Sequence, residues 1–210
     1  QDVALSSLSL DKIVSIGSFA FYNTAITSLA LPASLKEVAP NAFTTKAFNS
    51  TDASLVRMEN ITLDKDNKTF FLDEKGVLYS YLPDGSYVLV AYLSGKTDTS
   101  YTVLDGTYRI ADYAFSTNLS LQNVKIARTV KYIGTGAFYG CTALSSIEFL
   151  SVNAPTLESR YSSASADGWT YNNFVDTIGE VGSPRDIEVT VPANAVGYDS
   201  FLWARYIGLT

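Results

Sequence analysis

Residues 130–144 read VKYIGTGAFYGCTAL, and the first nine of them recur. The stretch IVSIGSFAF ends at Phe21, LKEVAPNAF at Phe43, YRIADYAF at Phe115 and VKYIGTGAF at Phe138, so the two adjacent pairs lie about 23 residues apart. A unit this short cannot bury its own apolar face, and a period between 20 and 50 residues is the mark of a solenoid whose units stack on their neighbours. Along the chain stand apolar-x-apolar pairs: Leu8/Leu10, Leu29/Leu31, Ile61/Leu63, Val124/Ile126 and Ile147/Phe149. Period two is the spacing of a strand that points alternate side chains inward, so these pairs are expected to form one parallel sheet.

Ile13/Ile16, Leu35/Val38, Ile110 and Val130/Ile133 supply a second inward row, and Phe21, Phe43, Phe115 and Phe138 a third, expected to stack as a spine. Ala20, Ala42, Ala114 and Ala137 precede the rings, where a larger side chain would press on the next coil. Gly17, Gly134, Gly136 and Gly140 fall at turns, where a residue without Cβ reaches positive φ cheaply.

Between Phe43 and Phe115 the Ala-Phe signature is missing for about three periods. The turn clusters Asp73-Glu74-Lys75-Gly76 and Pro83-Asp84-Gly85-Ser86 flank the β-rich runs GVLYSYL and YVLVAYL, which predicts a β-hairpin inserted in the solenoid. This middle carries Tyr79, Tyr81, Tyr87 and Tyr92, some of which the alternation sends to solvent. Near the end, Tyr198, Phe201, Leu202, Arg205 and Tyr206 follow helical spacing, so a helix is expected to lie across the last coil with Trp203 partly buried beside it.

The Ile-Gly-x-x-Ala-Phe repeats, the Asp-Asn-Lys-x-Phe and Gly-Val-Leu-Tyr middle, the Ser-Gly-Lys-x-x-x-x-Tyr-Thr-Val return and the Phe-x-Gly-Cys-Thr-x-Leu exit together resemble the BspA-like leucine-rich repeat family of bacterial surface proteins. The terminal VTVPANAVGYDSFLWARY resembles that family's closing strand and helix, and Ala154-Pro155-Thr156-Leu157 the turn before it. The resemblance implies an α/β, strand-rich leucine-rich-repeat solenoid, a right-handed parallel-sheet superhelix with an inserted β-hairpin and a C-terminal capping helix. It also implies export to the bacterial surface or beyond, adhesion to a host or microbial protein or glycan, and no catalysis. A single domain over 1–210 is expected: repeats at 1–43 and 106–157, atypical strands at 55–105, an inserted loop at 158–186 and the cap at 187–210.

That inserted loop departs from the family pattern. It is rich in Ser and Gly and carries Tyr161, Trp169, Tyr171, Asn172 and Asn173. Flat rings beside amides are what a glycan or protein contact needs, and binding residues gather on loops held by a rigid scaffold. These five, with Tyr79 and Tyr81, are the expected ligand-binding residues. The bland reading is that Trp169 and Phe174 only pin the insertion to the body.

Chemistry is scarce. The chain has no histidine, which removes Ser-His-Asp, Cys-His and imidazole–metal arrangements, and no catalytic residue, metal or cofactor is expected. Asp64-Lys65-Asp66-Asn67 lacks the glycine and glutamate of a calcium loop. Cys141, the one cysteine, is expected to pack in a turn rather than react. Asn49, Asn60, Asn67 and Asn118 stand at N-glycosylation spacing. A net charge of −6 with no basic run argues against nucleic acid as a partner, and no apolar run is long enough to span a bilayer. Gln1 falls almost on the first repeat, so the reading allows a removed signal peptide or lipid-anchoring cysteine. The competing reading is a structural spacer that self-associates through its N-terminal coil; a carboxylate hydrolase is a third.

Overall fold

The computed structural model describes residues 8, 10–22, 24–43, 57–158, 187–199 and 203. The described chain is built almost wholly of strands and turns; Trp203 alone among the described residues has helical conformation. Among the described residues the connections are tight turns, and the helical part of the expected α/β class is not seen there. Of the expected closing stripe, Tyr198 lies in a turn, while Phe201, Leu202, Arg205 and Tyr206 fall outside the described residues.

The inward-pointing pairs make the first row of strands: β2 (Ser28–Leu31), β4 (Asn60–Leu63), β8 (Ser100–Thr102), β10 (Asn123–Ile126), β12 (Ser146–Phe149) and β14 (Glu188–Thr190). All pair parallel and in register, so that Val124 lies beside Ile147 and Leu29 beside Ile61. Here the sequence expectation needs correction. The row is two sheets, β2-β4 and β14-β12-β10-β8, because residues 64–99 interpose between β4 and β8. Nor is Leu8-x-Leu10 a strand; Leu8 is exposed and Leu10 buried.

The second row begins with β1 (Ser15–Ile16) and β3 (Glu37–Val38), a parallel pair. It continues in a six-stranded sheet of β5 (Phe70–Leu72), β6 (Leu78–Tyr81), β7 (Tyr87–Ala91), β9 (Thr107–Ile110), β11 (Tyr132–Ile133) and β13 (Thr156–Leu157). The order β13-β11-β9-β7-β6-β5 is parallel as far as β7 and antiparallel across β7-β6-β5. Asp73–Gly76 and Pro83–Ser86 make the turns between the antiparallel strands.

The third row is the phenylalanine spine. Phe115 and Phe138 stack at 4.8 Å with their planes 9° apart, and Phe21 and Phe43 at 6.1 Å and 4°. Tyr92 takes the place of a spine ring where the Ala-Phe signature is missing, stacked 5.3 Å from Phe115. Ala42, Ala114 and Ala137 are buried beneath the neighbouring coil, whereas Ala20 is exposed. Backbone bonds tie the row together: Phe115 N–H donates to Ala137 C=O at 2.7 Å and Thr117 N–H to Tyr139 C=O at 2.6 Å.

Each spine phenylalanine is preceded two residues earlier by a left-handed residue: Phe19 (φ 56°), Asn41 (60°), Tyr113 (58°) and Gly136 (58°). At Gly136 a Cβ would also come within 2.5 Å of the Tyr113 ring. Gly134 answers to a different constraint, since its φ is not positive and a Cβ there would lie 2.4 Å from Asp112 N.

Two asparagines at sequon spacing are structural. Asn118 is fully buried; its amide donates to the carbonyls of Lys96 (2.8 Å) and Leu93 (3.2 Å) and its Oδ1 accepts from Ser120 and Leu121 N–H. Asn67 does the same between Pro32 and Leu35 carbonyls and Thr69 and Phe70 N–H. Both amides staple one coil to the next, and neither is open to a glycosyl group.

Gly136→Ala is expected to cost at least ~1–2 kcal/mol for the left-handed residue alone, with the ring clash in addition. Asn118→Ala, which orphans buried peptide groups, should cost ~1–3 kcal/mol for each group left unpaired. Urea denaturation of the two variants checks both, and an unchanged midpoint in either would contradict the assigned role.

Candidate functional site

The antiparallel segment concentrates aromatic rings at one end of the six-stranded sheet. Phe71 on β5 is the hub: Tyr79 stacks on it at 5.3 Å, Tyr81 lies tilted at 4.7 Å and Tyr87 meets it edge-on at 5.0 Å. Tyr81 and Tyr87 stand opposite each other on β6 and β7, 6.0 Å apart. Beside this cluster runs an open groove of about 300 Å³, lined by Leu63, Asp64, Lys65, Asn67, β5 and Tyr81. Its polar wall is short. Asn67 is consumed by its own staple, which leaves Asp64 and Lys65, the latter 2.9 Å from Asp66.

Tyr79 and Tyr81, both expected to meet a ligand, differ sharply. Tyr81 is 50% exposed and Tyr79 is 0% exposed. Tyr79 is thus corrected to a core residue. Its hydroxyl lies 2.6 Å from that of Tyr101, which donates to Asp73 Oδ2 at 2.6 Å, and Leu104 N–H donates back to Tyr79. Burial pushes the Tyr79 phenol up to about 12, and burial with the Tyr79 and Asp73 contacts raises Tyr101 further. This phenol chain fastens the β5–β6 turn to β8, assisted by the Lys75–Asp98 pair at 2.9 Å. Sequence pattern could not separate the two tyrosines, because they sit two residues apart on one strand and differ only in what covers them.

Tyr161, Trp169, Tyr171, Asn172 and Asn173 lie outside the described residues, as does Phe174. The last described residue before them, Glu158, is held by Arg109 through Nε (2.8 Å) and Nη2 (2.6 Å), and Arg109 also pairs with Asp112. Trp203 is buried, with Nε1–H donating to Pro155 C=O at 3.3 Å and its ring against Phe149 and Tyr198. Cys141 is buried at the exit of the spine, its Sγ donating to Phe115 C=O at 3.0 Å, and burial pushes its thiol up to about 12. A protonated, enclosed sulfur is no nucleophile.

The profile of the BspA type leucine rich repeat region matches residues 2–69 and 95–180 in six copies. The chain belongs to the BspA-type leucine-rich repeat family. Among solved structures it resembles a leucine rich cell surface protein of Faecalibacterium prausnitzii A2-165, 31% identical over 68% of this chain and 35% of that one, with a TM-score of 0.56. It also resembles the pneumococcal vaccine antigen PcpA, 28% identical over 67% of this chain and 34% of that one, TM-score 0.52. The chain spans about a third of the length of these two proteins. No curated protein matches it. The gap in the BspA-type match, residues 70–94, contains the antiparallel strands and the aromatic wall of the groove, whose other wall, Leu63 to Asn67, falls within the match. No helix among the described residues is long and apolar enough to cross a membrane.

Burial of neutral phenols fixes a pH dependence. Tyr79, Tyr92, Tyr101 and Tyr198 are all raised, chiefly by burial, above the ordinary value of 10.0. An acid raised in the folded state keeps its proton there after the unfolded chain has lost it, so stability is full below pH ~10 and falls as pH climbs past it. Melting temperature should therefore drop steeply above pH 10, with a shallower drop in Tyr101→Phe. A flat profile through pH 11 would refute the burial assignment.

Proposed function

We propose that the chain is a non-catalytic binding module, secreted or displayed at a bacterial surface, that recognises a protein or glycan through the aromatic groove beside Tyr81. In this reading the runs GVLYSYL and YVLVAYL, which carry β6 and β7, are a β-hairpin inserted in a right-handed solenoid, and a C-terminal helix covers the last coil. The observation that carries it is the hub of Phe71, Tyr81 and Tyr87 at the edge of a 300 Å³ groove, with Tyr81 half exposed. Rings that are rigidly packed on one side and open on the other supply contact area at little entropic cost, which is why tyrosine is enriched at binding hot spots.

The family supports display outside the cell, and the Faecalibacterium relative is itself described as a cell surface protein. The non-catalytic part of the reading is supported by the lack of any histidine to activate a nucleophile and by the enclosure of Cys141. Tyr161, Trp169, Tyr171, Asn172 and Asn173 are proposed as a second contact, in the segment that follows Glu158, which Arg109 holds.

An array of immobilised matrix proteins and glycans tests the reading. A ligand captured by the chain should lose about tenfold or more in affinity, the ~1.4 kcal/mol or more of a hot spot, on Tyr81→Ala, while the melting temperature stays within a few degrees of the parent. Capture that survives both Tyr81→Ala and the Trp169→Ala/Tyr171→Ala double variant would sink the assignment.

A further inference from the structure

We infer that the open edge of β5 takes up an extended, basic polypeptide segment as an added strand. The inference rests on the reading of the groove as a binding site and names what fills it. Among the described residues β5 ends the six-stranded sheet and is paired on one side only, to β6. Which peptide groups face that partner follows from the bonds that bracket the pair: Tyr81 N–H donates to Thr69 C=O (3.0 Å) and Asp73 N–H to Val77 C=O (3.1 Å). Bonded pairs alternate along an antiparallel ladder, so Phe71 faces Tyr79 as a bonded pair, and Phe70 and Leu72 turn their peptide groups the other way. Phe70 N–H does so, donating to Asn67 Oδ1 at 2.9 Å. Phe70 C=O and both groups of Leu72 point to the same side, away from β6.

All three β5 residues line the groove, together with Tyr81 of β6. The edge of β8 is treated differently, for the β5–β6 turn is fastened over it by Tyr101–Asp73 and Lys75–Asp98. A bare strand edge is a template for another strand. Its carbonyl and N–H groups recur every second residue, ~6.6–6.8 Å apart, the repeat of a polypeptide and not of a sugar. Main-chain bonds of this kind give affinity, and pockets for alternate side chains give specificity. Here the rings of Phe71 and Tyr81 offer the apolar seat. The charge follows from Asp64, exposed at the groove, whose neighbour Lys65 is already paired with Asp66, in a chain of net charge −6. A lysine or arginine complements that carboxylate.

The probe is a random dodecapeptide library displayed on phage and selected against the intact chain. Selected peptides should alternate apolar residues and carry Lys or Arg. Leu72→Pro removes an N–H that serves no partner in β6, and proline is tolerated at such an edge position. It should weaken binding about tenfold or more, whereas Leu72→Val should bind as the parent does, since a strand hydrogen bond and its neighbours are worth ~1–1.5 kcal/mol. Asp64→Asn, which keeps the Oδ1 that accepts Asp66 N–H, should weaken binding and flatten its salt dependence. In the free chain the Leu72 amide should exchange with solvent quickly and the Phe71 amide slowly; the peptide should protect Leu72. A Leu72 amide already protected in the free chain, or peptides indifferent to Leu72→Pro, would overturn the inference. Tyr81-dependent glycan capture with no peptide selected would overturn it too and leave the groove reading standing; failure of both probes would remove both.

Discussion

No coil of this chain can bury its own apolar face. Three rows of inward side chains, two aliphatic and one aromatic, find cover only on the coil above and the coil below, and the rest of the structure answers to that need. It explains why the spine rings stack nearly face to face, why Ala42, Ala114 and Ala137 stand beneath the adjacent coil, and why Asn67 and Asn118 spend every polar atom on neighbouring backbone. It also explains the left-handed residue two places before each spine phenylalanine, which turns the chain sharply enough to bring the next ring into line.

The stacking is interrupted once within the described chain, and the interruption is where function is proposed. At residues 64–99 the first-row sheet divides, Tyr92 substitutes for a spine phenylalanine, and the chain adds antiparallel strands to the second row. The buried residues accordingly fall into two clusters, one around Phe21, Phe43, Ile61 and Leu78, the other around Tyr79, Phe115, Phe138 and Phe149. Consecutive residues Leu78 and Tyr79 belong to different clusters, so β6 is the seam between them. Its far end, Tyr81, extends past both and is left half exposed. Phe19, Tyr22 and Tyr108 are exposed as well, but Tyr81 is the most exposed of these rings and alone stands beside the groove.

Repeat spacing made the solenoid, the spine and the inward rows readable from residues alone, since each rests on local periodicity that stacking repeats along the chain. What escaped was decided by coverage between distant segments. Tyr79 and Tyr81 share a strand and a residue type, and only Tyr101 and Leu104, more than twenty positions later, make one of them core. Asn118 reads as a sequon in isolation; its place three residues after Phe115, matching that of Cys141 after Phe138, was the signal that it closes a coil. Tyr92 carries no Ala-Phe signature and so was not assigned to the spine. The division of the first-row sheet had no signal in the Leu-x-Leu pairs, because β4 and β8 keep their inward residues on either side of the break.

Tyrosine nitration of the free chain, mapped residue by residue with mass spectrometry, tests most directly whether the interruption leaves one packed and one open ring on the same strand. Tyr81 should be modified early, and Tyr79 and Tyr101 should resist until the chain unfolds. Equal labelling of Tyr79 and Tyr81 would show that the seam is not closed as described and would remove the physical basis for the groove.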